Sequence, residues 1–153
     1  MSEFYGAVGA IIRNEDDEVL MVQEGKDHIH GKWDFPGGGW EDRESIIECV
    51  KREILEETGY EVDIDGFLGI YKELNQSDGT ETIAFMFKGK AVEKKANGPE
   101  DEEEIINIEF FKPEEIKDLE LRAENREEIL ERYLKGESYS KNVLWNKLNL
   151  LKN

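Results

Sequence analysis

Apolar positions along the chain fall into two periods. Residues 4–13 are small and β-branched and predict a strand. A polar turn at 14–17 follows, then 18–23 as the hairpin partner. Its nearly continuous Val19, Leu20, Met21 and Val22 suit a strand buried on both faces. Trp33 and Phe35 alternate, so they share one face of a short strand. Residues 61–74 carry Val62, Ile64, Phe67, Leu68, Ile70 and Tyr71, with Gly66 and Gly69 as bulge points. They predict a long antiparallel pair with 80–92, across a turn at 76–79. A last strand at 105–111 leads into a short helix opened by Pro113.

The helical period appears at 45–59. Ile47, Val50 and Ile54 form an apolar stripe, Ser45 and Glu48 have capping-box spacing, and Gly59 sits where a left-handed stop belongs. A second amphipathic helix is predicted over 121–135 through Ile129, Leu130, Tyr133 and Leu134, ended by Gly136. The tail from 137 holds Val143, Leu144, Trp145, Leu148, Leu150 and Leu151. Packing on the domain, swapping into a partner and lying at a homodimer interface all remain open for it. The 153 residues suit a single domain, 1–153, whose C-terminal helical tail begins near 121.

Chemistry enters on the first helix. Glu53 and Glu57 are four apart, and Glu53 and Glu56 three apart, so the three project from one face. Like charges at these spacings cost roughly 0.2–0.5 kcal/mol per pair, and a cation between them reverses the penalty. Mg2+ or Mn2+ suits such hard oxygen donors. Arg52 lies four residues from both Glu48 and Glu56 and can hold carboxylates in place. In so acidic a chain, a solvated glutamate face is the alternative.

Taken whole, the segment Gly38–Glu44–Arg52–Glu53–Ile54–Glu56–Glu57–Gly59 resembles the Nudix box, the signature of the Nudix hydrolases, with Tyr60 where an aliphatic residue is usual. The string Trp33 to Gly38 looks like the strand before the box in MutT-like members. The resemblance, which covers about 4–119, implies an α/β fold, the Nudix α/β/α sandwich with a mixed sheet. It also implies Mg2+-dependent hydrolysis of a phosphoanhydride in a nucleoside diphosphate linked to another group, with a nucleoside triphosphate or modified nucleotide favoured. Metal would be held by Glu53, Glu56, Glu57, Gly38 and a carboxylate from the acidic run 100–104, with Glu104 ahead of Glu103. Catalytic roles fall to Glu53, Arg52, Glu56 and Glu104, while Glu44 orients the loop or pairs with Arg52. Gly37, Gly38, Trp33 and Phe35 are the substrate-binding candidates, although core packing is the competing role for both aromatics. A proline marking ADP-ribose hydrolases is missing, with Leu74 in its place. A catalytically silent, nucleotide-sensing module on the same fold is the alternative function, and an acidic, ion-binding interaction protein a third.

Other features refine this. The net charge of -17 argues against nucleic acid or an anionic membrane as partner, and makes a cation necessary if the substrate is a polyphosphate. The single Cys49 excludes an internal disulfide, suits a reducing cytoplasm, and reads as packing within the helix. No apolar run is long enough for a membrane span and no secretory leader is evident. His28 and His30 lie in a polar loop over 24–32 that is either solvated or in contact with substrate. Tyr71, Phe85 and Phe87 are either core or the walls of a nucleotide pocket.

Overall fold

Residues 4–41 and 43–152 are described by a computed structural model. Strands β1 (Phe4–Arg13), β2 (Val19–Glu24), β3 (Trp33–Asp34) and β4 (Gly37–Gly39) precede helix α1 (Ile46–Thr58). After it come β5 (Tyr60–Leu74), β6 (Glu81–Lys94), β7 (Ile105–Phe111), α2 (Pro113–Ile116) and α3 (Asn125–Leu134).

The seven strands form one mixed sheet in the order β3-β2-β1-β6-β5, with β4 on β1 and β7 on β2. β1 runs parallel to β6 through ten residue pairs, and the other pairings are antiparallel. The predicted hairpin of β1 and β2 exists only at its tip, where Arg13 faces Val19. Beyond it the strands splay. β4 takes the freed edge of β1 at Ala7–Gly9, and β3 takes that of β2 at Val22 and Gln23. The glycine run is thus an extended strand inside the wedge.

Alternation along the strands builds two cores. Val8, Ala10, Ile12, Leu20 and Phe87 face α1, packing on its Ile46, Ile47, Val50 and Ile54. Ile11, Val19, Met21 and Met86 face the other way, onto Ile116 of α2 and Leu130 of α3. Helices therefore cover both faces of the sheet, the α/β/α arrangement, and β2 is apolar on both sides for this reason.

The C-terminal elements differ from the sequence expectation. The last helix begins at Asn125, because 121–124 are used to meet β3: Arg122 N donates to Trp33 O at 2.9 Å, and Leu121 bridges Trp33. The segment from 137 is not helical apart from one 3-10 turn, Lys141–Val143. It packs on the domain instead. Tyr139 and Phe67 exchange backbone hydrogen bonds at 2.8 Å, Lys141 Nζ donates to Ile64 O, and Leu144 lies against the α1-side core. Past it the side chains of Trp145, Leu150 and Leu151 are exposed. Among the described residues no helix is long and apolar enough to cross a membrane.

Gly59 ends α1 at φ 78°, with its N–H on Leu55 O, and an added Cβ would stand 2.3 Å from Ala96 O. Gly59→Ala is expected to cost at least about 1 kcal/mol and lower Tm by about 3 °C or more in thermal unfolding.

A candidate active site lined by carboxylates

Helix α1 is fixed at both ends before its acidic face is used. Ser45 Oγ accepts from Glu48 N, and Asn146 from the tail accepts from Ile47 N at 2.9 Å, so two free N–H groups of the first turn are satisfied. With Ile46, Ile47, Val50 and Ile54 pinned to the sheet, Arg52, Glu53, Glu56 and Glu57 lie towards β4 and the loop 99–104. That loop is tied to the helix end by Glu100 N donating to Glu56 O at 2.8 Å.

Arg52 organises this face. Its Nε and Nη2 donate to the two oxygens of Glu44, both at 2.8 Å. Nη1 donates to Glu53 Oε1 at 3.0 Å and to Glu56 at 3.1 Å, and Nη2 also reaches Gly39 O. The Arg52 guanidinium holds the Glu44 carboxyl down at about 2, and Glu44 in turn pushes the Arg52 pKa up. The glycines give room. A Cβ on Gly38 would be 2.2 Å from Glu53 Oε2, and one on Gly37 2.1 Å from Val8 O. Gly37 N donates to Glu57 Oε1 at 2.7 Å.

Glu53, Glu56, Glu57, Glu100, Asp101 and Glu104 line one cavity of about 90 Å³. Glu103 is exposed and lies outside it. Burial raises the Glu53 carboxyl above its ordinary value, Glu56 and Glu104 add to the rise, and Arg52 opposes it. Glu57 is raised further, by burial first and by Glu24, Glu53 and Asp34, against the Gly37 N–H. Desolvated carboxylates crowded together are the donor set a hard divalent ion fits. Among the described residues no three such side chains already form a cage, since Arg52 draws Glu53 and Glu56 while Gly37 holds Glu57.

A trough of about 410 Å³ shares Glu57 and Glu104 with this cavity. Small residues of β1 and β6, Ala7, Gly9 and Ala84, make its floor, while Phe35, Tyr71 and Met86 line it. Of the other sequence candidates, Trp33 does not line the trough. It is buried on the α3 side with its ring edge-to-face against Phe111 at 4.9 Å, which is the packing role. Phe87 is fully buried and Phe85 packs with Trp40, both on the α1 face, so neither lines the trough. His28 and His30 are exposed and absent from both walls, whereas Lys26 lines the trough and pairs with Glu104 at 3.5 Å. Cys49 is buried and its thiol is pushed up by burial, so it is held as the neutral thiol.

Sequence reasoning missed the polar side chains of the trough: Glu24, Asp34, Glu73, Arg122 and Arg126. Arg126 is 3% exposed and bonds Asp34 at 2.6 and 3.1 Å and also Glu73, and Arg122 pairs with Glu24 at 3.2 Å. Burial raises the Glu24 carboxyl, and Arg122 opposes the rise. Asp34 within the Trp33–Gly38 string was the one local signal. The arginines sit far off in sequence, in what reads as an ordinary amphipathic helix.

A family model described as NUDIX domain matches residues 4–133. A solved NUDIX hydrolase from Nitrosomonas europaea superposes with a TM-score of 0.84 at 30% identity, covering 94% of this chain and 97% of that one. The curated 8-oxo-dGDP phosphatase NUDT18 of Danio rerio is 41% identical over 80 residues, 52% of this chain and 23% of that protein. A putative 8-oxo-dGTP diphosphatase of Bacillus subtilis is 39% identical over 62 residues, 40% of each chain. The matched segments thus span less than half of these curated relatives.

The Glu44–Arg52 pair sets a pH dependence. A depressed carboxyl adds stability above its unfolded value, near 4.5, and loses it as pH falls towards about 2. The Tm gap between wild type and Glu44→Gln is therefore expected to be full at pH 6 and to close between pH 4.5 and 2 in thermal melts.

Proposed function

The chain belongs to the NUDIX domain family, and on that premise we propose that it is a divalent-ion-dependent pyrophosphohydrolase. It cleaves a phosphoanhydride in a nucleoside diphosphate linked to another group, with a nucleoside triphosphate or modified nucleotide preferred. One observation carries this reading: Glu53, Glu56, Glu57 and Glu104 line a single cavity that shares two of them with a trough large enough for a nucleotide. The names of the relatives, which act on oxidised guanine nucleotides, agree with the substrate class.

The roles follow from electrostatics. Phosphoanhydride oxygens and this carboxylate cavity repel one another, so the cavity is built to share cations with its substrate. Glu53, Glu56, Glu57, Glu104 and the Gly38 carbonyl would hold Mg2+, with Mn2+ as the substitute. When bound, such ions neutralise phosphate oxygens and lower the pKa of a water. Arg52 keeps Glu53 and Glu56 from turning to solvent. Glu53 and Glu104, which both line the cavity, are the candidates for accepting the proton of the attacking water. Lys26, Arg122 and Arg126 add positive charge along the trough in a chain of net charge -17. Phe35, Tyr71 and Met86 offer apolar contact to the base and sugar. One free, buried Cys49 suits a reducing cytoplasm.

Pyrophosphate and phosphate release from a nucleotide panel, with Mg2+ and with chelator, tests the proposal. Turnover is expected only with the metal. Glu56→Gln and Glu57→Gln should each lower kcat by about a hundredfold or more with a folded-state melting profile retained. Full activity in either variant would sink the assignment, and tight nucleotide binding without any turnover would favour a silent sensor.

A further inference from the structure

The far end of the trough carries charges that the box does not use. Its floor is the α3 face of β1, β6 and β5, where the rows Ala7–Ala84–Tyr71 and Tyr5–Thr82–Glu73 lie side by side. Arg126 reaches this floor from the first turn of α3. A guanidinium has five N–H donors. Nε and Nη2 hold both oxygens of Asp34, at 2.6 and 3.1 Å, while Nη1 donates to Glu73 Oε1 and to Asn125 Oδ1. The Tyr71 ring backs the guanidinium at 5.2 Å. Four of the five N–H groups are thus used within the chain, leaving one on Nη2. Asp34 is occupied too, since its Oδ1 also accepts from Phe35 N.

Glu73 is different. Arg126 fixes Oε1, but Oε2 takes no hydrogen bond from any described residue, and the side chain lines the trough at 27% exposure. Glu73 thus presents an immobilised carboxylate, an acceptor with no donor of its own, beside Tyr5 and Thr82 in the same row.

Resting on the nucleotide reading above, we infer that Glu73 selects the nucleobase and favours an edge with two adjacent N–H donors, as guanine has at N1 and its 2-amino group. A carboxylate takes such a parallel donor pair well. Adenine and cytosine place a ring-nitrogen acceptor beside one amino group, so a lone pair would face a carboxylate oxygen. That unmatched pair costs affinity once water is excluded. Hypoxanthine keeps N1–H and lacks only the amino group. Oxidation of guanine at C8 leaves the edge unchanged. Arg126 is the positioning residue: it orients Glu73 and balances its charge.

The test compares kcat/KM for dGTP and dITP, which differ by that amino group alone, in wild type and Glu73→Gln with Mg2+. Wild type is expected to prefer dGTP by about tenfold or more. Glu73→Gln should bring the ratio to within about twofold, mainly through a higher KM for dGTP, with dITP nearly unchanged. Equal wild-type values, or a preference that survives in Glu73→Gln, would overturn the inference while leaving the hydrolase reading intact. Should wild type turn over no nucleotide, that reading fails, and calorimetric titration with GMP and IMP decides the inference by itself. Tighter GMP binding that Glu73→Gln abolishes supports it, and equal affinity or no binding overturns it. The wild-type comparison needs no variant to fold.

Discussion

Acidic side chains gathered on one turn of helix repel each other, and around α1 they stay gathered because Arg52 stands among them. Its donors reach Glu44, Glu53, Glu56 and the carbonyl of Gly39. Hydrogen bonds to charged partners contribute about 1.5–3 kcal/mol each, several times the like-charge penalty between helical neighbours. The same contacts tie the helix to the glycine strand. The spacing of the motif then has a mechanical meaning. Glu44 is placed to meet Arg52 from the incoming chain, itself accepting from Glu41 N, and Gly38 is bare so that the Glu53 carboxylate can rest against its backbone.

The second constraint is the wedge between β1 and β2. Had those strands paired along their length, the glycine strand would have no edge to join. Because they part after Arg13 and Val19, β3 and β4 enter the gap and carry Asp34, Phe35 and Gly37 to the trough. Small residues on β1 and β6 then leave depth where other strands would place side chains. Lys26, Arg122 and Arg126 only partly offset the Glu24, Asp34, Glu57, Glu73 and Glu104 carboxylates that line the same trough, so an anionic ligand still needs a cation there.

Local features were the legible ones. The cap at Ser45, the stop at Gly59, the strand at 105–111 and the helix opened by Pro113 follow from residues a few positions apart, and all are present. The box carboxylates were legible for the same reason, since one helix fixes their spacing. What the sequence concealed is long-range. Arg126 meets Asp34 across 92 positions, and nothing near either residue announces the partner. Trp33 and Phe35 alternate, yet only Phe35 lines the trough, because α2, α3 and Phe111 close over Trp33. The tail carries enough leucine to read as helix, but its backbone bonds are taken by Phe67 and its own turn.

Strand β5 steps out of register between Phe67 and Gly69, where Gly69 has φ 146°. Val62 and Ile64 face the α1-side core, and so does Phe67 after an earlier step between Ile64 and Gly66; past the extra residue at Leu68, Tyr71 and Glu73 face the trough, while Ile70 pairs with Phe85 on the α1 side. That one residue works as a half-period phase shift. Deleting it would turn the distal third of the strand inside out, presenting Lys72 and Leu74 to a bound molecule in place of Tyr71 and Glu73. The reading frame of the pocket is therefore set by backbone at Leu68 and Gly69 that lies outside the trough's own lining.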